Sequence, residues 1–349
     1  MNNFSYCKTK DGSVGLYNHN VNDIYHSSSG AFKESIEKFI MPSLINDFSK
    51  QNNEIKILDI CFGIGYNSKA ALYFSKKNNK NVKIKIDALE VNKDLILISP
   101  FIKDSIPSLD LKIFLAREIF NNDTKSVTKA EQIIDNADSS FFDQKSMFIL
   151  KYFKYNQFSR SYLSSTDQNL PFLHNIYYQY VSSSMKNGLK NNIYRDCVFN
   201  YHSDDARKAI SSLSGTYDFI FLDAFTPQKD PTLWTFEFIE LIKSKMNKNS
   251  IIVTYSNSTP YRAALLELGF NVGKVLINEK QYGTIASMSS SKILNPLDSF
   301  DNGLTKTKAG ILFRDPNLNS SSDEIIKRHE CEKETSSRPT TSSYKKGKI

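Results

Sequence analysis

Short apolar runs recur along the chain, each too short for a helix and each ended by a glycine, an acid or a polar loop. The first is Lys56-Ile57-Leu58-Asp59-Ile60, which reads as a buried strand. A glycine turn follows, then a helix through Ala70, Ala71, Leu72 and Phe74, then a second strand through Val82, Ile84, Ile86 and Ala88 to Glu90. Strand, turn, helix, strand is one crossover unit of a parallel sheet. The alternation resumes with strands predicted at 198–201, 218–223 and 251–255. Helices are predicted after Asp205, over 233–246, and from Pro260 to the stop at Leu268-Gly269. The last two runs, 271–277 and 283–288, are parted by a short polar loop and predict an antiparallel hairpin. The pattern predicts an α/β, Rossmann-like fold with a mostly parallel sheet.

The flanks read differently. Residues 1–50 form an N-terminal extension: a turn-rich start at Asp11-Gly12, then an amphipathic helix over 31–49 with Phe32, Ile36, Phe39 and Ile40 at helical spacing. The core spans 51–290. Within it, 101–195 breaks the rhythm and reads as a helical insertion dense in aromatics and lysine. Residues 291–349 read as a polar tail whose Ser-, Thr- and Lys-rich end, 334–349, is expected to be mobile.

Composition narrows the partners. With 40% hydrophobic and 12% aromatic residues, 349 residues can bury a substantial core. No long apolar run and no apolar leader are present, so a cytoplasmic protein with no membrane partner is expected. Four cysteines without CxxC spacing support neither zinc nor disulfides, and no metal is expected. A formal charge of +8 points to an anionic partner, for which nucleic acid is the first candidate, although a Lys-rich composition lifts the charge by itself.

Candidate chemistry sits at the predicted strand ends. Gly63 and Gly65 follow the first strand in a G-x-G turn that lets backbone approach a ligand. Glu90 ends the second strand, where a carboxylate can accept from a ribose diol; the pair fits NAD or S-adenosylmethionine. Asp204 and Asp205 follow the third strand, where one acid can accept from an adenine amino group while the other caps a helix; Asp205 is the expected binder. The terminal hairpin favours S-adenosylmethionine, since NAD folds keep that strand parallel. Asp223 and Phe225 end the fourth strand: the acid can orient an amine and take its proton, and the ring can stack on a base.

The segment Asp223-Ala224-Phe225-Thr226-Pro227-Gln228-Lys229-Asp230-Pro231-Thr232-Leu233-Trp234-Thr235 resembles the signature of the MnmC methyltransferase family. Similar agreement is found in Thr9-Lys10-Asp11-Gly12-Ser13, in Tyr25-His26-Ser27, in Gly30-Ala31 with Glu34, and in Phe62-Gly63-Ile64-Gly65-Tyr66-Asn67. Thr254-Tyr255-Ser256 with Arg262, Gly283-Thr284 with Ala286, and Arg314-Asp315-Pro316 extend it. The family's usual Gly-Asp before Ala-Arg is Asp204-Asp205 here. The resemblance implies a class I S-adenosylmethionine-dependent methyltransferase fold. It also implies methylation of the exocyclic amine of 5-aminomethyl(-2-thio)uridine at the tRNA wobble position. Tyr25, Gly63, Gly65, Asn67, Glu90, Asp204, Asp205 and Asp223 are the implied cofactor-binding positions. Asp223 and Phe225 are the catalytic ones, and the tRNA anticodon loop is the partner. Some family members carry a fused flavin oxidase; this chain resembles the stand-alone form, so no FAD is expected and another enzyme would supply the aminomethyl group.

The insertion adds cations among rings: Lys151, Lys154 and Arg160 with Tyr152, Phe153, Tyr155, Phe158 and Tyr162. The cations, with Lys229, are candidate RNA contacts, while the rings fit core packing equally well. Lys345, Lys346 and Lys348 offer an alternative surface. A valine at Gly65 is expected to abolish cofactor binding and leave the fold intact. Two other readings share the core: a polyamine synthase that transfers an aminopropyl group, and a non-catalytic RNA-binding protein.

Overall fold

The computed structural model describes residues 4–25, 30–121, 123–162, 183, 185 and 190–347, with the side chains of 155–162 excepted. His26, Ser27, Lys348 and the side chains of Arg160, Tyr155, Phe158 and Tyr162 therefore lie outside the described residues.

Seven strands form the main sheet: β4 (Glu54–Ile60), β5 (Lys83–Leu89), β6 (Val198–His202), β7 (Tyr217–Leu222), β8 (Met246–Thr254), β9 (Asn271–Ile277) and β10 (Lys280–Ser287). Their spatial order is β6-β5-β4-β7-β8-β10-β9. The first five are mutually parallel; β10 runs antiparallel to both β8 and β9. This is the topology of class I methyltransferases, and the hairpin read from the sequence is its antiparallel element.

Strand periodicity explains the two cores. Along β4, Ile57 and Leu58 point to opposite faces, and both are fully buried. Ile57 joins Ile86, Phe219, Phe221 and Val253 beneath the helix Tyr66–Asn78 and the 31–51 segment. Leu58 joins Ile220, Leu222 and Ile252 with Trp234, Phe238 and Leu265. A sheet covered on both faces needs apolar residues at every strand position, which is why the runs are continuous rather than alternating.

The helix predicted over 31–49 exists but is broken. Its middle, Ile36–Ile40, is π-helical, and Leu44 takes a left-handed conformation (φ 59°) just after Pro42. The insertion is helical over Leu109–Phe120, Thr124–Asp135 and Met147–Tyr162. Its rings Tyr152 and Phe153 pack against the core, as the packing alternative held.

Two expectations are corrected. The turn-rich start is a three-stranded antiparallel sheet, β1 (Phe4–Lys8), β2 (Val14–Asn18) and β3 (Asp23–Ile24). It is tied to the core by Tyr66, whose Oη accepts from the Val14 N–H and donates to the Val14 carbonyl, both at 3.0 Å. The polar tail folds as helices Ser299–Thr305, Ser322–Thr335 and Thr341–Lys345. Leu297, Leu312, Phe313 and Ile325 bury themselves in the second core. The longest of these helices opens with a capping box, Ser321 with Glu324. No described helix is long and apolar enough to cross a membrane.

Candidate functional site

The strand order reverses beside β4, with β5 on one side and β7 on the other. Open α/β sheets place ligands at the carboxyl ends of strands at such a switch point. A cavity of about 640 Å³ lies there, lined by residues that include Tyr25, Glu34, Lys38, Glu90, Asp204, Asp205, Asp223, Phe225 and Tyr255.

The turn after β4 is sharp because three of its five residues have positive φ: Cys61 (66°), Gly63 (58°) and Gly65 (84°). Cys61 lines the cavity. The two glycines differ in surroundings. A Cβ on Gly63 would meet only Tyr25 Cδ1, at 3.6 Å, whereas one on Gly65 would stand 2.2 Å from Phe62 Cζ. Gly65 is therefore required by the packing of Phe62, and a valine there disrupts the turn itself. That corrects the expectation of an intact fold.

Glu90 is buried, and both its carboxylate oxygens accept backbone N–H groups: Oε2 from Gly63 at 2.8 Å and Oε1 from Asn92 at 2.9 Å. Burial raises its pKa. Each oxygen keeps a free lone pair for a further donor. Asp223 follows β7 and hydrogen-bonds Asn67, whose Nδ2 donates to Oδ2 at 2.9 Å. Burial, reinforced by the nearby Glu34 carboxylate, pushes the Asp223 carboxyl up to about 8. The Oδ1 of Asn67 is buried without a partner among the described residues. Gly63, Gly65 and Asn67 are buried behind the cavity wall rather than on it.

Rings frame the acid. Tyr25 meets Phe225 edge to face at 5.1 Å. The two carbonyls after Asp223 are pinned by ring donors: Tyr255 Oη donates to the Ala224 carbonyl and Trp234 Nε1 to the Phe225 carbonyl, each at 2.7 Å. This explains the buried tryptophan of the signature segment.

At the β6 end the two acids divide their roles differently from expectation. Asp205, the expected adenine binder, is the cap of the helix Ala206–Ser212 and accepts from the Arg207 N–H at 2.9 Å. Burial raises its pKa, but the Arg207 guanidinium and N–H outweigh that and hold it low. Asp204 is the exposed acid at the rim. Arg207 also pairs with the fully buried Asp315 at 2.9 Å, so the C-terminal segment braces this wall.

Sequence reasoning missed Glu34 as a site residue and Lys38 altogether. They form a close ion pair one helical turn apart and face Asp223 from the N-terminal helix. Lys38 Nζ also sits 5.7 Å above the Tyr255 ring. Only their i, i+4 spacing hinted at a pair. Of the candidate RNA contacts, Lys229 is engaged inside the molecule, donating to the Asn22 carbonyl at 2.7 Å and pairing with Asp23 at 3.2 Å. Lys154 pairs with Glu131 at 2.7 Å, and Lys151 is exposed on the same helix.

Residues 170–289 match the family described as S-adenosyl-L-methionine-dependent methyltransferase. A protein of uncharacterized function from Methanocaldococcus jannaschii is 27% identical over 329 residues, 94% of this chain and 72% of its own length. The tRNA 5-methylaminomethyl-2-thiouridine biosynthesis bifunctional protein MnmC of Leptospira interrogans is 32% identical over 76 residues, 22% of this chain and 12% of that protein. Among solved structures, MnmC2 of Aquifex aeolicus superimposes with a TM-score of 0.64 at 23% identity, over 96% of this chain and 87% of that one. The sheet order and the Aquifex structure show a class I methyltransferase fold, and the matched 170–289 segment and the Leptospira relative make the chain similar to S-adenosyl-L-methionine-dependent methyltransferases of the MnmC type.

Proposed function

We propose that the chain methylates the exocyclic amine of 5-aminomethyl(-2-thio)uridine at the tRNA wobble position. The observation that carries this reading is Asp223: a desolvated carboxyl pushed up to about 8, held by Asn67 and flanked by the Phe225 and Tyr25 rings. The MnmC and MnmC2 relatives support the tRNA substrate.

The residues present fit the cofactor. The Gly63 N–H holds the Glu90 carboxylate from behind the cavity wall, that carboxylate has lone pairs for a ribose diol, and Asp204 stands at the rim, free to accept from an adenine amino group. Bound S-adenosyl-L-methionine supplies an electrophilic methyl group. A substrate ammonium must lose a proton before its nitrogen can attack. A carboxylate whose pKa is lifted by burial is a stronger base than an exposed one, and Asp223, in its ionised fraction, which grows as pH rises to about 8 and beyond, is placed to take that proton. Glu34 adds negative charge beside it that favours a cationic amine, while Lys38 keeps Glu34 in place. Phe225 and Tyr25 offer ring faces to the uracil.

The test is transfer of labelled methyl from S-adenosyl-L-methionine to tRNA carrying the aminomethyl nucleoside, with putrescine as the competing acceptor. Label in the wobble nucleoside supports the reading. Label in the diamine alone, or in neither, overturns it.

A further inference from the structure

A second cleft, of about 660 Å³, opens beside the catalytic cavity and shares Thr226 and Tyr255 with it. One wall is the 256–260 loop after β8. The other is the C-terminal helix Ser322–Thr335, which presents Ile326, His329, Glu330 and Lys333 to the cleft. Their spacing of three, four and seven residues places them on one helix face. The apolar part is built from Pro227 and Phe313, whose ring stacks on His329 with centroids 4.0 Å apart.

Its polar features suit one negative charge. The helix Thr259–Glu267 starts in this cleft without a side-chain cap, and the Oγ of Ser258 at its N-cap is buried with no hydrogen-bond partner among the described residues. The first N–H groups of a helix lack intrahelical acceptors and carry the positive end of its dipole; here Pro260 has no N–H, so the donors are those of Thr259 and Tyr261. Across the cleft, Lys333 has no ion pair among the described residues. Glu330 lies one turn before it on the same face, so the balance favours a singly charged diester over a dianion.

We propose that this cleft seats the RNA backbone beside the reacting nucleotide. An adjacent phosphodiester would lie between the start of the Thr259–Glu267 helix and Lys333. The inference rests on RNA being the substrate. It adds where the strand runs once the reacting base has entered the first cavity, since Thr226 and Tyr255 form the wall common to both.

The test uses the full chain and an unmodified single-stranded heptaribonucleotide, with binding followed by fluorescence anisotropy across a salt series. Lys333→Glu is expected to weaken binding at least tenfold. Lys333→Ala is expected to make the log–log salt slope shallower by about 0.7, the value for one phosphate contact on a single strand. Ser258→Asp would cap the helix with its own carboxylate, so it should hold or raise the melting temperature while weakening the heptamer at least tenfold. Calorimetry with S-adenosyl-L-methionine should be unchanged in all three. If the wild-type chain binds the heptamer and these variants bind it equally well, the cleft is not the seat. If the wild-type chain binds neither the heptamer nor intact tRNA, the RNA reading falls, and the cleft proposal with it.

Discussion

In the proposed reaction, Asp223 would couple catalysis to stability with opposite signs. Its folded-state pKa, about 8, lies above the ordinary carboxylate value. Between those two values the unfolded chain has released a proton that the folded chain retains. Stability therefore falls as pH rises through this window and levels off above it. Asp223→Asn removes the effect. The variant should melt above the wild type, with a gap that widens from pH 5 to pH 8, while methyl transfer falls about a hundredfold or more. Melting curves at the two pH values and single-turnover assays check both halves; an equal gap at both would mean the acid is not held protonated. The glycine turn gives a second prediction at this scale. Gly63→Ala meets no atom closer than 3.6 Å, so its cost is the left-handed backbone, about 1–2 kcal/mol. Gly65→Ala must displace the Phe62 ring and should melt well below Gly63→Ala in the same scan.

At the scale of elements, legibility followed burial. The central strands β4 and β7 and the end of β8 carry near-continuous apolar runs because both sheet faces are covered, and they read directly, whereas β6 at the sheet edge is mixed in polarity and read from its place in the alternation. β1 and β2 did not: Phe4-Ser5-Tyr6-Cys7-Lys8 and Val14-Gly15-Leu16-Tyr17-Asn18 are short, mixed in polarity and adjoin a glycine turn. The Ser322–Thr335 helix buries only Ile325 and His329, too few for a periodic signal, although its capping box was present in the sequence. Asp223 was legible because a motif around a strand end is local. Glu34 and Lys38 were not legible as site residues, because only the fold brings a helix nearly 190 positions earlier against that strand end. The tail's contribution can be tested. Asp315→Ala removes the buried partner of Arg207, which keeps only its pair with Asp205 and its bond to the Ser320 carbonyl. Because Arg207 and Asp205 line the cavity, the variant should lose both melting temperature and cofactor affinity. Normal calorimetric affinity would detach the tail from the site. Tyr66→Phe removes both hydrogen bonds to Val14 and should cost about 1–3 kcal/mol in denaturant unfolding.

For the whole molecule, the charge of +8 matters through its distribution. Serine at Lys151, Lys154 and Arg160 together should flatten the salt dependence of tRNA binding, with cofactor affinity untouched. Lys154→Ser alone should do little, since that cation already faces Glu131. An unchanged slope in the triple variant would shift the contact to Lys345 and Lys346. The brace between Arg207 and Asp315 also bears on how the enzyme is born. A chain emerging from the ribosome can assemble β4, β5 and the glycine turn early, yet the wall at Asp205 waits for a residue made more than a hundred positions later. The proposed cofactor pocket would thus be among the last parts to close, and nascent chains halted before residue 315 should hold S-adenosyl-L-methionine poorly however much of the sheet they have formed.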